Sequence, residues 1–417
     1  MPPSRGLQRD DMGKVAMCVF VSAAFLAPGA PCRHRAMPAL SARSDTTTCA
    51  MAVPIINPLC WAPDSTARNV VCRSATECGA RVRRWSCFGL RRRWPQRPRH
   101  PRLNCPHRRR RCRLQLLEAR ALYRDRVDWA GVRATLAAAT DDAGRRQLLD
   151  DAATRSTGGH GRWIPPSLQR QRSGRAQRLK AGQDAASPMP WQADARVGVL
   201  QVSPFLDDPQ AGEQARYDAR RTYALALQHR IVALDDGTRC GWVVDLSGNG
   251  GGNMWPMLLG LLPLLQGTPD KEGAVIGGFR SAEGQRPWRQ RDGEVLDGAN
   301  SRLRSRQAAY ALRGGPAPVA VVFGPRTASS GEAVALAFRG QPGSRSFGQP
   351  SAGYSTGNQP VPLVDGSMLL LTVNIMTDRQ GQGDGRQLQP DQPTAPGASG
   401  LQAAQDWLLA QPACSGR

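Results

Sequence analysis

The sequence predicts an α/β layered domain over its last three quarters, and three observations carry that expectation. Short β-branched runs alternate with stretches of helical length, Gly-rich turns stand where the runs end, and the runs are apolar enough to be buried strands. In such sheets the functional loops gather beyond the carboxyl ends of the strands.

The organised chain begins near Leu114. Leu117, Ala121 and Leu122 recur at helical spacing, and Trp129, Val132 and Leu136 do so again behind Asp128, a fitting N-cap. A third helix is expected over residues 141–153, giving a helical subdomain at 114–168. It delivers the chain into Ser156-Thr157-Gly158-Gly159-His160-Gly161, where glycines favour a turn. A polar linker is expected at 169–194, followed by the main domain at 195–412. There Val197 to Val202 reads as a strand and residues 212–234 as a long helix. Gly241 to Leu246 reads as a buried strand ending in Ser247-Gly248-Asn249-Gly250-Gly251-Gly252. Residues 254–265 are apolar and helical, shortened by Pro256 and Pro263. Val319 to Phe323 is a further buried strand, leading through Arg326-Thr327-Ala328-Ser329-Ser330-Gly331-Glu332 into a helix at 333–338.

Composition divides the chain at the same place. The net charge is +23, yet residues 1–113 hold 22 Lys and Arg against 5 acidic residues, and the remainder is only mildly basic. Nine of the eleven cysteines also precede Leu114, leaving Cys240 and Cys414. Residues 1–113 show no sustained period and too few apolar side chains between about 80 and 113 to offset ordering entropy. They could be an Arg-rich arm for nucleic acid, a zinc site, or the product of a mis-set start or shifted frame. Zinc is disfavoured because no CxxC pair occurs among Cys72, Cys78, Cys87, Cys105 and Cys112. Met12 to Ala30 resembles a short signal peptide, and no stretch is long and apolar enough to span a bilayer. No metal or cofactor is expected.

The chemistry-bearing residues are few. Ser329 stands at a strand-to-helix turn, where a hydroxyl projects from a tight bend and helix amides point outward. It could equally be an ordinary N-cap, as could Ser330. Past residue 113 there are two histidines, His160 and His229; His229 lies late in a helix, whereas His160 is on a Gly-flanked loop. Lys180 and Lys271 are the only lysines there, both in polar sequence, so a lysine base is disfavoured. The loop at Asp245 to Gly252 fits neither a dinucleotide nor a P-loop fingerprint, and Ser329 lacks the GxSxG elbow.

Three blocks in this order resemble the tail-specific (C-terminal-processing) protease family: Gly-Gly-His at His160, Asp-Leu-x-x-Asn-x-Gly-Gly at 245–252, and Thr-Ala-Ser-Ser-Gly-Glu at 327–332. Gly353 to Gln359 and Leu388-Gln389-Pro390-Asp391 resemble its closing elements. The resemblance implies a crotonase/ClpP-like layered catalytic domain and a serine-type endopeptidase working through an acyl-enzyme on peptide or unfolded protein. It implies Ser329 as nucleophile, with the amides of Ser330 and Gly251 as oxyanion hole. Because no lysine follows the serine at the expected distance, the chain resembles the histidine-using, tricorn-like branch. His160 is then the base and Asp384 its orienting carboxylate, with Asp378 close by. Ser247 stands where the family usually has Arg, and Gly159 where an acidic or hydroxyl residue is frequent. Too little chain separates His160 from Val197 for a PDZ domain. A periplasmic or secreted location is expected, in which Cys240 and Cys414 could pair. A catalytically degenerate peptide binder, or nucleic-acid binding through residues 1–113, are the alternatives.

Overall fold

A computed structural model describes residues 109–180, 191–267 and 269–415, all within one compact unit, Arg93–Arg417. The readings made for residues 1–108, including the signal-like stretch, the basic arm and the zinc alternative, lie outside the described residues.

The chain opens with three helices, α1 (Arg109–Arg120), α2 (Trp129–Ala138) and α3 (Asp142–Thr157). Asp128 caps α2 by accepting the Gly131 amide at 3.0 Å, and Asp141 caps α3 through Gly144 at 2.7 Å. Leu114, Val132, Leu149 and Ala152 form their shared core. α3 runs past residue 153 to Thr157 and stops where Gly158 takes a left-handed conformation, φ 65°. Strand β1 (Arg162–Ile164) follows, then α4 (Pro166–Lys180). α4 crosses what the sequence reads as linker. Proline suits the first helical position, and Gln, Arg, Leu and Ala sustain a helix without an apolar stripe. Only a narrow seam, including Ser173 and Ala176, is buried.

The central region comprises β2 (Val197–Gln201), α5 (Glu213–Leu234), β3 (Gly241–Asp245) and α6 (Met254–Gly260). Strands β4 (Ala274–Ser281), β5 (Gly284–Arg291), β6 (Glu294–Asp297) and β7 (Asn300–Arg304) form an antiparallel meander. Then come β8 (Val319–Phe323), α7 (Ser330–Phe338), β9 (Ser344–Gly348), β10 (Thr356–Pro362), β11 (Met368–Thr377), β12 (Gln392–Pro393) and α8 (Ser399–Leu409).

Two sheets result. One is wholly parallel, in the order β12-β9-β8-β3-β2; the other is antiparallel, β1-β11-β4-β5-β6-β7, with β10 also on β11. The parallel sheet is covered on both faces, as its continuous apolar strands require. Along β3, Trp242 and Val244 join the core shared with α5, α6 and α7, while Val243 joins the core beneath α8. α8 presents Leu401, Ala404 and Leu408, one stripe at helical spacing, to that second face. Leu408 is fully buried, so Leu408→Ala would cost about 2–5 kcal/mol. A disulfide joins Cys240, just before β3, to Cys414, just after α8, with Cα atoms 5.0 Å apart. No described helix is long and apolar enough to cross a membrane.

Candidate active site

Ser329 ends the loop that follows β8, and its backbone sits at φ 53°, ψ −112°, a region a residue with a Cβ rarely adopts. The surroundings hold it there. Glu332, fully buried, accepts the Ser329 amide at 2.6 Å through one carboxylate oxygen. The same carboxylate accepts the amides of Gly353 (2.9 Å) and Tyr354 (3.0 Å) and the Ser351 hydroxyl. Burial pushes the Glu332 pKa up, against those donors, all of which favour the charged form. One side chain thus ties the serine turn to the 351–354 loop.

The turn is also stitched to the Gly-rich loop after β3. The Ala328 amide donates to the Asn249 carbonyl at 3.0 Å, Thr327 Oγ1 to Leu246 at 2.8 Å, and Ser330 Oγ to the Gly252 carbonyl at 2.8 Å. A Cβ on Gly331 would meet the Asn249 carbonyl oxygen at 2.5 Å, so only glycine permits this approach.

His160 comes from the other side, off the Gly158-Gly159 turn that ends α3. Its Nε2 lies 3.0 Å from Ser329 Oγ, across 169 residues of sequence. Its Nδ1 lies 2.7 Å from Thr356 Oγ1 on β10. If Nε2 accepts the serine proton, Nδ1 carries the ring hydrogen and donates it to Thr356. Asn358, two residues further along β10, donates to the His160 carbonyl at 3.4 Å and is itself held by Thr372 Oγ1 at 2.6 Å. Burial lowers the His160 pKa to about 4, and the nearby Arg162 charge adds to the effect. The imidazole is therefore neutral at ordinary pH, the form a general base needs.

The residues expected from sequence divide as follows. His160 and Ser329 meet. Ser329 is not merely a cap, since its hydroxyl faces the imidazole and the Glu332 carboxylate caps its amide. The Ser330 amide is the first of α7 and has no acceptor within the helix. Gly251 packs against Ser329, but its amide donates to Asn249 Oδ1 at 3.0 Å, so that loop is internally satisfied. Asp384 does not reach His160. It is exposed and accepts the Arg386 amide at 2.9 Å, and Asp378 folds onto the amides of Gln380 and Gln382. Thr356 holds the position on Nδ1 that a carboxylate was expected to fill. His229 is exposed on α5, away from this cluster. Thr356, Glu332, Ser351 and Asn249 were missed as site residues. Glu332 stood in view three residues after the serine, the spacing of a capping box; Thr356 left no local signal.

Residues 196–394 match the sequence profile of peptidase family S41. That stretch, just under half of the chain, is similar to the family. The mixed helix and strand architecture fits an α/β class. A nisin-resistance protein of Lactococcus lactis subsp. lactis is 40% identical over 139 residues, 33% of this chain and 41% of that protein. The match thus spans under half of that relative's length. A solved lipoprotein from Streptococcus agalactiae is 25% identical with TM-score 0.55, covering 72% of this chain and 94% of that one.

Proposed function

We propose that this chain is an S41-type serine endopeptidase that works through an acyl-enzyme, in a crotonase/ClpP-like catalytic domain fronted by its helical subdomain. The 3.0 Å approach of His160 Nε2 to Ser329 Oγ carries this reading. In it, His160 takes the hydroxyl proton as Ser329 Oγ bonds to the peptide carbonyl carbon. The negative charge on the carbonyl oxygen is held by the Ser330 amide and the dipole of α7. Gly251 joins as second donor if its amide is shared with, or released from, Asn249. Collapse of the tetrahedral species breaks the C–N bond, and the leaving amine takes the proton back from His160. Water, deprotonated by the same imidazole, then releases the acyl group.

Fluorophosphonate labelling tests this directly. Wild type should label at Ser329, while Ser329→Ala and His160→Ala should not label measurably. An intact wild-type protein that never labels would leave a catalytically silent peptide binder, the reading that the internally bonded Gly251 amide favours.

The disulfide and the lipoprotein relative support an extracytoplasmic location, since such bonds persist in oxidising compartments. Peptides or unfolded proteins are the substrate class. The name of the nisin-resistance relative makes nisin the first peptide to try.

A further inference from the structure

A cavity of about 320 Å³ opens on the Nδ1 side of the His160–Thr356 pair, near the lower bound for small-ligand sites. Four separate stretches of chain wall it: Tyr123 and Arg126 after α1, the turn that carries His160, Tyr354 with Thr356, and Arg386 in the loop before β12. Two of its lining residues are arginines, both exposed to solvent. Arg126 is not loose, because its guanidinium lies 3.9 Å from the Tyr123 ring centroid, a cation–π contact that fixes its direction. The Tyr123 hydroxyl reaches the 385–387 loop: a Cβ on Gly385 would meet it at 2.8 Å. No acidic residue lines the cavity. Asp384 is bonded to the Arg386 backbone, and Glu332 is buried behind the 353–354 amides. Among the described residues neither Arg126 nor Arg386 stands in an ion pair. Tyr354, 37% exposed, closes one side with its ring 5.1 Å from that of His160.

Two unpaired guanidinium groups around a polar recess, with an aromatic wall and no acid, form the surroundings that a carboxylate satisfies through charge-assisted hydrogen bonds. We propose that this cavity is a substrate subsite for a carboxylate of the bound peptide, held between Arg126 and Arg386. The proposal rests on the peptidase reading, since a ligand here lies beside the proposed base. The carboxylate is either an acidic side chain near the scissile bond or the peptide's own C-terminus.

The test uses the full-length protein and glutarate as probe. In wild type, glutarate should slow fluorophosphonate labelling of Ser329 competitively. In Arg126→Gln/Arg386→Gln, each protein compared with its own rate in the absence of glutarate, the apparent inhibition constant should rise about three- to tenfold. Cleavage of a random peptide mixture, read by mass spectrometry, should show in wild type either acidic residues enriched at one position or cuts at a fixed distance from the C-terminus, with that bias lost in the double variant. An acidic enrichment that survives C-terminal amidation assigns the subsite to a side chain; a fixed-distance bias that amidation abolishes assigns it to the terminus. Labelling that is insensitive to glutarate, or a cleavage bias unchanged in the double variant, overturns the subsite and leaves the peptidase reading intact. If wild type does not label at all, the peptidase reading has failed. The cavity is then read from His160 imidazole NMR signals, which must move with glutarate in wild type and stay fixed in the double variant for the subsite to stand.

Discussion

Thr356→Val removes one oxygen and keeps nearly the same shape at a site that is 3% exposed, so the fold should survive. What it removes is the acceptor 2.7 Å from His160 Nδ1. In the ground state this is a neutral hydrogen bond. In the proposed mechanism His160 takes the serine proton, so the donor becomes an imidazolium and the bond becomes charge-assisted, worth about 1.5–3 kcal/mol. The bond therefore strengthens in the transition state, and its loss should fall on kcat rather than KM. Only the difference from the neutral bond, about 1–1.5 kcal/mol, falls on kcat, so a drop of roughly 5- to 13-fold is expected. Thr356→Ser should recover most of the loss. Thr356→Asp should raise the His160 pKa by placing a carboxylate beside it, moving the acid limb of the rate profile to higher pH. The assay is peptide hydrolysis between pH 4 and 9 with kcat and KM resolved, and labelling rate as a second readout. A Val variant with wild-type kcat and an unmoved profile would refute Thr356 as the residue positioning the base.

Wild-type activity should itself hold down to about pH 4–5, because His160 is protonated only near its lowered pKa of about 4; a limb near pH 6.5 would contradict the burial argument. The same shift has a stability consequence. Between pH 6.5 and about 4 the unfolded chain binds a proton that the folded chain refuses, so stability should fall as pH drops through that window. The loss is about 1–3 kcal/mol, absent in His160→Gln and measurable by urea titration at two pH values. Glu332→Gln puts an amide –NH2 among donors that need an acceptor, and should lower stability by about 2–4 kcal/mol, or Tm by about 5–12 °C. Reducing Cys240–Cys414 opens a loop closed across 174 residues and should destabilise by about 2–5 kcal/mol; an unchanged midpoint under reductant would show that α8 is held by packing alone.

The parallel sheet was legible because its strands are buried on both faces: Val319 to Phe323 is apolar at every position, and no amphipathic helix reads that way. The antiparallel meander was not read, although it carried a signal. Arg291-Asp292-Gly293-Glu294 is an Asp-Gly hairpin, with Asp292 at φ 49° and Gly293 at φ 71°. β5 and β7 are rich in polar side chains and mostly outside the core, and the buried β6 is only four residues long, so hydrophobic periodicity passed over them. The serine and histidine were legible because the candidates were so few. Thr356 was not. It is an ordinary strand residue, and only the pairing of β10 with β11 and the end of α3 bring it to the imidazole.

The missing carboxylate is the chemically informative part of the site. Two acids were candidates for a role at this site, and neither bonds to the imidazole. Glu332 is spent holding the strained serine turn, and Asp384 is exposed on its own loop. An imidazole that is buried, close to Arg162 and bonded to a neutral hydroxyl is a weaker base than one paired with an acid, which is what its lowered pKa expresses. Compensation must then come from geometry. The serine is held in a backbone conformation that projects Oγ at the imidazole, and the first amide of α7 is free of intrahelical partners, so little reorganisation remains for the reaction step. A site built this way should tolerate loss of base strength better than loss of position. Glu332→Gln should therefore cost more in kcat than Thr356→Ser, even though Glu332 touches no reacting atom, and the reverse order would show that proton affinity limits the rate.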